Sequence, residues 1–356
     1  MNTLALICCL ATASQQSDDV TVRVDPRLEV LALTAWLAGK YPTPTDSAYK
    51  LRTWNHFQKF RNHPAVVALR NAKNMYTDFT ELGVSLTDIQ KPTLTGETGR
   101  WREILGAESY DGFFAALPDF VQKTGFVRFF QSNQKEFDRA CAQFKGVLAK
   151  EKTIETMESF YRYGTSRPRP KFEVFLEPLN SWGAHAIVNK KKLEQGDNSE
   201  PVRYQIGNWS GINVFLDGSL NFESTSSLAE TAWHEGSHVY IAPVFYANTA
   251  AINAQERLFN REMLVKQNIS TWEYCLNENV VRAITAVLVK LTKGEKLYLR
   301  EVTVQTKQAG FIYTGTIAEW ILKDYVGNAS YRTFDDFFPV ILERLKTLPD
   351  YQVGQS

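Results

Sequence analysis

The apolar positions of the first half of the chain recur at helical spacing, from Asp25 to about Tyr163. The first helix is predicted to have Asp25 as its N-cap and Pro26 at its first position. Further helices are expected at 48–60, 65–76, 112–122 and 134–150. The segment 164–170 holds two prolines in alternate positions and ends this helical pattern. Residues 20–165 are therefore predicted to form a helical N-terminal region.

The second half begins with short β-branched and aromatic runs and then returns to helical spacing. The runs predict strands at 172–176, 183–188, 203–206 and 212–216. Helices are expected at 228–241, 254–264, 271–293, 317–324 and 334–347. This order predicts an α+β fold with a small mixed or antiparallel sheet. Residues 166–356 would form a second region, either separate from 20–165 or in one integrated domain with it.

An apolar stretch near the N-terminus, residues 4–13, is too short to cross a bilayer and has the length of the hydrophobic part of a secretory signal. Small residues at 11–13 offer a cleavage point. Residues 1–19 are therefore predicted to hold a signal peptide and the start of the mature chain, so the protein is expected to be secreted or periplasmic. No later run approaches the length of a membrane helix, and no membrane span is expected in the mature chain.

Composition changes this picture little but excludes some partners. The chain of 356 residues has 40 Lys plus Arg against 39 Asp plus Glu, so it has no excess charge to hold nucleic acid. Its 44% hydrophobic residues are typical of a globular protein and exclude general disorder. Beyond the predicted signal, Cys141 and Cys275 are far apart in sequence, and we expect two buried free thiols.

The candidate chemistry lies in a His-Glu-x-x-His motif at residues 234–238. Residues four apart on a helix are neighbours, so His234 and His238 can both bind one Zn²⁺ ion. Glu235 lies about 100° around the helix from His234, beside the ion, where it can act as general base toward a metal-activated water. Because the chain has only five histidines, chance produces this pattern in about 0.5% of sequences of this composition.

The flanking residues fit an active-site helix. Its apolar side can pack inward and leave the imidazoles facing a cleft; the residues on that side are Leu228, Ala232, Trp233, Val239 and Tyr240. Ser227, with Glu230 three residues later, is predicted to cap the start of the helix. Pro243 is predicted to kink or end it soon after the second histidine.

A catalytic zinc site needs a third protein ligand. Glu278 lies in a strong helical pattern, with Arg282 one turn later to orient its carboxylate. Glu256 is nearer to the motif, and Glu273 is a third candidate. A helical projection places Glu278 where it suits a cleft or bulk water equally well, so spacing alone leaves the three carboxylates open.

These residues resemble the zincin metallopeptidases that have Glu as third ligand, the gluzincin type, and an uncharacterised family of secreted bacterial proteins with the same motif. The likeness covers most of the mature chain and rests on residues 24–29, 63–66, 234–238 with Pro243, 277–278 with 281–283, and 310–311 with Tyr331. It implies a zincin-like fold, with His234, His238 and Glu278 as zinc ligands and Glu235 as the catalytic carboxylate. The interval between His238 and Glu278 is longer than in the best-known gluzincins, so an inserted helix or loop must fold back.

The expected function is therefore a zinc metallopeptidase acting on a peptide or protein substrate, with Glu235 moving the proton to the leaving amine. Tyr313 is the first candidate to stabilise the oxyanion, ahead of Tyr240 and His185. A substrate strand could add to the sheet edge at 183–188 or at 212–216. The alternatives are a zinc-binding but inactive envelope or interaction protein, and a metallohydrolase of a non-peptide amide.

Overall fold

The computed structural model describes residues 20–41, 47–75, 77–90, 94, 99–162, 172–180, 184–187, 202–207, 212–216, 219–222, 225–261 and 269–351. The predicted signal peptide and the predicted boundary at 164–170 lie outside these residues. The division of the chain at residue 165 stays a prediction.

Helices dominate the first half of the chain, as predicted. They are α1 (Pro26–Leu37), α2 (Ala48–Phe57), α3 (Pro64–Arg70), α4 (Gly99–Leu105), α5 (Ala107–Thr124), α6 (Phe126–Ser132), α7 (Gln134–Lys150) and α8 (Thr153–Tyr161), with 3-10 turns at Gln58–Phe60 and Thr77–Ser85. Asp25 caps α1 by accepting the backbone N–H of Arg27 at 3.0 Å. His63 caps α3 in the same way, through the N–H of Ala65 at 3.3 Å. Residues 24–29 and 63–66, two of the segments on which the family resemblance rests, therefore each contain the N-cap of a helix.

Four strands form a mixed sheet beneath these helices. The strands are β1 (Val20–Arg23), β2 (Phe172–Glu177), β3 (His185–Ile187) and β4 (Val202–Gly207), in the order β1-β2-β4-β3. β2 is parallel to both β1 and β4, and β3 is antiparallel to β4. A separate antiparallel hairpin joins β5 (Ile212–Leu216) and β6 (Ser219–Phe222).

The strand β1 is absent from the sequence prediction, which makes region 20–165 helical only. It has four residues, too few for a reliable alternating pattern. Its pairing partner begins at Phe172, about 150 residues later in the chain, so tertiary contact decides its conformation. The N-terminal region therefore contributes one edge of the sheet.

The second half ends in a set of helices that complete an α+β fold. They are α9 (Thr225–Ala247), α10 (Thr249–Asn253), α11 (Trp272–Lys293), α12 (Glu295–Thr303), α13 (Thr314–Trp320) and α14 (Phe334–Leu345), with a 3-10 turn at Glu256–Leu258 and π-helical segments at Val304–Gln308 and Ile321–Tyr325. The helix α9 packs against α8, α11, β3 and β4. Cys141 and Cys275 are free and buried, which confirms the prediction for both thiols.

Two local predictions are wrong, the N-cap at Ser227 and the helix at 254–264. The helix α9 begins at Thr225, so Ser227 lies inside it and is not the N-cap. The helix ends at Ala247, four residues after Pro243, and in this last turn Phe245 is buried against Phe338. The described part of the helix expected at 254–264 is a turn and one short 3-10 segment. Among the described residues, no helix has the length and hydropathy that a membrane span requires.

Candidate metal centre

The helix α9 presents both histidines of the motif on one face. The ring centroids of His234 and His238 lie 5.0 Å apart. With Glu235 they form a group whose potential ligand atoms all lie within 4.8 Å of one another. The opposite face carries Leu228, Trp233 and other buried residues, while the two imidazole side chains keep 19% and 13% of their exposure. The rings therefore face a space that solvent reaches.

A carboxylate from α11 completes the group. Oε1 of Glu278 lies 3.4 Å from Nε2 of His238, and Oε2 lies 3.7 Å from Nε2 of His234. Two ligands of a tetrahedral zinc ion, each bound at about 2.05 Å, are about 3.3 Å apart. The separations of these nitrogen and oxygen atoms fit a shared divalent ion. Because α9 packs against α11, Glu278 lies beside His238 although the two residues are far apart in sequence.

Asn277 orients one of the histidines. Nδ1 of His238 donates to the side-chain oxygen of Asn277 at 2.6 Å, which directs the Nε2 lone pair toward Glu278 and the other ring. Sequence reasoning assigned no role to Asn277. The available signal was the general need of a metal-binding histidine for such a partner, together with the position of Asn277 directly before Glu278.

The charges around Glu278 keep it ionised. Burial by itself would raise the pKa of Glu278, but contacts with His238, Arg282 and His234 outweigh burial and hold that pKa well below its ordinary value. Arg282 binds Oε2 of this carboxylate through Nε at 3.1 Å and through Nη2 at 2.9 Å. Glu278 therefore offers a negative oxygen to the site across the neutral pH range.

The remaining groups of the site are set for proton transfer and metal binding. Burial raises the pKa of Glu235 to about 7, although the cationic neighbours and a hydrogen bond from the backbone of Ala186 in β3 act against it. Burial, with help from Arg282, lowers the pKa of His234, which leaves that ring neutral. Burial acts to lower the pKa of His238 too, but the carboxylate of Glu278 raises it overall.

The other carboxylates considered as third ligand lie elsewhere. Glu256 has 63% of its side chain exposed and pairs with Arg261 at 2.9 Å. Glu273 lies in the first turn of α11, more than one helical turn before Glu278. Glu278 is thus the carboxylate that the fold brings to the two histidines.

The predicted oxyanion stabilisers occupy three different settings. The hydroxyl of Tyr313 donates to the carbonyl of Leu258 at 2.6 Å, and would have to release that bond to reach a substrate. Tyr240 is buried and stacks on Tyr161 with ring centroids 4.4 Å apart. His185 lies in β3, which packs against α9. The structure brings His234, Glu235, His238 and Glu278 together, and the role of Tyr313 stays a prediction.

Gly236, which lies inside the His-Glu-x-x-His motif, has a packing role. A Cβ atom on Gly236 would lie 2.5 Å from Cε and 3.0 Å from Sδ of Met157 in α8. The neighbouring Trp233 donates its indole N–H to the carbonyl of Thr153 at 3.0 Å. These contacts fix α9 against α8 on the side opposite the imidazoles, so Gly236 allows the two helices to approach closely.

Comparison with known proteins shows a family but no described activity. A family model described as "Domain of unknown function (DUF4932)" matches residues 20–344. No curated protein and no solved structure matches the chain. The matched range includes all four clustered residues of the candidate metal centre and nearly the whole described fold. The chain therefore belongs to the DUF4932 family of unknown function.

Proposed function

We propose that the protein is a zinc-dependent metallohydrolase and that its substrates are peptides. The observation that carries this proposal is the convergence of two histidines one turn apart with the carboxylate of Glu278, whose Oε1 lies 3.4 Å from Nε2 of His238 and whose Oε2 lies 3.7 Å from Nε2 of His234. Nitrogen and oxygen donors in this number are typical of catalytic zinc sites, which keep a further position for solvent. Glu235, beside the donors, supplies the base that hydrolysis requires.

The fold that we propose is zincin-like, of the gluzincin type. Three features support it: the His-Glu-x-x-His helix α9 packs on strands β3 and β4, the third carboxylate comes from the neighbouring helix α11, and β3 runs antiparallel to its neighbour. The long connection between α9 and α11 contains α10 and the 3-10 turn Glu256–Leu258, which would be the insertion that the sequence comparison requires.

The residues of the chain divide the work of hydrolysis. When bound, a zinc ion polarises a carbonyl group and lowers the pKa of water. Glu235 accepts the proton of the attacking water and returns it to the leaving amine, and its pKa of about 7 suits both transfers near neutral pH. Asn277 holds His238 in one orientation, so that the donor atoms need little rearrangement to bind the ion.

The position of β3 supports a peptide as substrate. The strand β3 is the last in the order β1-β2-β4-β3 and, within the described residues, pairs with β4. The backbone of Ala186 in β3 donates to Glu235, so an extended peptide added at this edge would pass the catalytic carboxylate. The other candidate edge, β5, belongs to the separate hairpin with β6. We therefore assign the substrate strand to β3.

Replacement of the catalytic carboxylate tests the proposal. Glu235→Gln should keep stoichiometric zinc and lower turnover about 100-fold to 10,000-fold, because the isosteric amide cannot accept a proton. The assay is cleavage of a mixed peptide library, followed by mass spectrometry with and without chelator. Glu230→Gln is the matched control, since Glu230 lies on the same helix but pairs with Lys293 at 3.0 Å.

Two results would contradict the proposal. One is an unchanged rate in Glu235→Gln on a peptide that the wild-type protein cleaves. The other is a fully zinc-loaded wild-type protein that cleaves no member of the library, which would favour a non-catalytic zinc protein or a hydrolase of another amide.

A further inference from the structure

We infer that Arg282, held between Gln305 and Phe311, restricts Glu278 to a single metal-binding oxygen, Oε1. This inference rests on the proposed zinc site and adds a positioning residue to it. The consequence is a fixed coordination number, with one position kept free of protein ligands.

The contacts of the carboxylate carry the first step. Two donors of Arg282, Nε at 3.1 Å and Nη2 at 2.9 Å, both bind Oε2 of Glu278. Oε2 also lies 3.7 Å from Nε2 of His234, so Arg282 and an ion bound by the two histidines would compete for this oxygen. Oε1 remains available at 3.4 Å from Nε2 of His238. Rotation of the carboxylate to present both oxygens to an ion would weaken the hydrogen bond from Nε and the ion pair with Nη2.

The guanidinium itself is fixed on its other sides. Nη1 of Arg282 donates to the side-chain oxygen of Gln305 at 2.6 Å. The ring of Phe311, itself only 1% exposed, lies 4.0 Å from the guanidinium carbon. The planar guanidinium of Arg282 thus donates along two edges and packs one face on an aromatic ring. The ammonium group of lysine is a point charge and cannot make these contacts together.

Both groups that hold Arg282 come from one segment beyond α12. Gln305 lies in the π-helical segment Val304–Gln308, and its carbonyl accepts the backbone N–H of Phe311 at 3.0 Å. Its side-chain amide donates to Glu301 at 2.7 Å. The segment is tied back to α11, because Asn279 accepts the N–H of Tyr313 at 3.0 Å. π-helical turns are often found at functional sites. Residues 310–311, which are part of the family resemblance, thereby gain a physical role, because Phe311 packs on Arg282.

The two functions of an arginine near a metal, its charge and its geometry, can be separated by substitution. Arg282→Lys keeps the charge and loses the fork, whereas Arg282→Met loses both. If geometry matters, both variants free Oε2 and raise the coordination number. If only charge matters, Arg282→Lys behaves as the wild type.

The experiment measures metal binding without any substrate. Cobalt replaces zinc, and the visible absorption of Co²⁺ weakens when its coordination number rises above four. Zinc affinity is measured by competition with a chromophoric chelator. We expect both Arg282 variants to lose the strong absorption, and Arg282→Lys to bind zinc about 10-fold to 100-fold more weakly. Phe311→Leu, which leaves the ion pair intact, should shift both measurements in the same direction by a smaller factor.

A matched control lies elsewhere in the chain. Arg344 pairs with Asp324 at 2.6 Å and lies over the ring of Trp320, so Arg344→Met removes a similar arrangement and should leave both measurements unchanged. A wild-type cobalt spectrum and zinc affinity in folded Arg282→Lys would overturn the inference and leave the proposed function intact. Failure of the wild-type protein to bind either metal would overturn both.

Discussion

Two groups of buried carboxylates in this fold have opposite electrostatic states. In the candidate metal centre, Glu278 contacts two imidazoles and the guanidinium of Arg282. In the second group, Glu29 of α1 and Glu177 at the end of β2 accept hydrogen bonds from neutral groups, and the charge of Lys50 offsets the burial of Glu29 only in part. Tyr49 and the backbone of Leu179 donate to Glu29, while Thr80 and Asn180 donate to Glu177.

The pKa values follow from this difference in partners. Burial, with the nearby charge of Glu177, raises the pKa of Glu29 to about 8. Burial raises the pKa of Glu177 to about 7. Burial acts in the same direction on Glu278, yet its cationic neighbours lower its pKa overall. Desolvation is common to both groups, so the charge of the partners decides whether a buried carboxyl group is a ready ligand or a proton-bearing packing residue.

The largest expected effect is on zinc affinity, which the same isosteric change, Glu to Gln, should alter in one group and not in the other. Glu278→Gln removes a charged donor and should weaken zinc binding by more than the about 100-fold that loss of a supporting hydrogen bond costs. Glu29→Gln should leave zinc affinity unchanged, since its partners join α1, α2 and the end of β2. Chelator competition measures both variants. Equal losses in the two variants would show that the groups are not independent.

The second effect is a dependence of stability on pH. The pKa of Glu29 rises from 4.5 to about 8 on folding, so the folded state binds the proton more tightly than the unfolded state. Its contribution is fully present below about pH 4.5 and is lost as the pH rises through about 8. The free energy of unfolding should therefore fall across this window by a few kcal/mol, since each pKa unit corresponds to about 1.4 kcal/mol.

Denaturant titrations at a series of pH values measure this decline. Glu29→Gln, which carries no titratable proton at this position, should make the decline between pH 5 and pH 8 smaller, and the rest of the decline comes from Glu177 and Glu235, whose pKa values of about 7 are also raised on folding. A wild-type stability that stays constant or increases over that range would contradict the assignment of a proton to this group.

The smallest expected effects concern the glycines beside each group. A Cβ on Gly83 would lie 2.9 Å from the backbone nitrogen of Leu28 and 3.0 Å from the backbone carbon of Arg27, so Gly83→Ala must displace α1. We expect a loss of about 3 kcal/mol. A Cβ on Gly236 meets the flexible end of Met157, and Gly236→Ala should cost about 1 kcal/mol. Thermal unfolding measures both, and the reverse order would contradict this interpretation of the two contacts.

Helices with strong local patterns were predictable from the sequence. The prediction for α7 matches Gln134–Lys150, and that for α11 differs from Trp272–Lys293 by one residue. Both are long and apolar at helical spacing, so local preference and packing agree. The turn that includes Leu258 looked helical, yet its carbonyl serves the hydroxyl of Tyr313, a contact with a residue 55 positions away. Local pattern carries no information on such a partner.

The sequence by itself determined the grouping of His234, Glu235 and His238, because any helix brings residues three and four apart to one side. It also supplied the caps of α1 and α3, which depend only on neighbouring residues. Residue spacing left Glu278, Glu256 and Glu273 open and the family resemblance pointed to Glu278, but only the packing of α11 on α9 places the Glu278 carboxylate beside the two histidines. The charge state of each buried carboxyl group was decided by the tertiary structure too, since it depends on partners that the fold brings from distant parts of the chain.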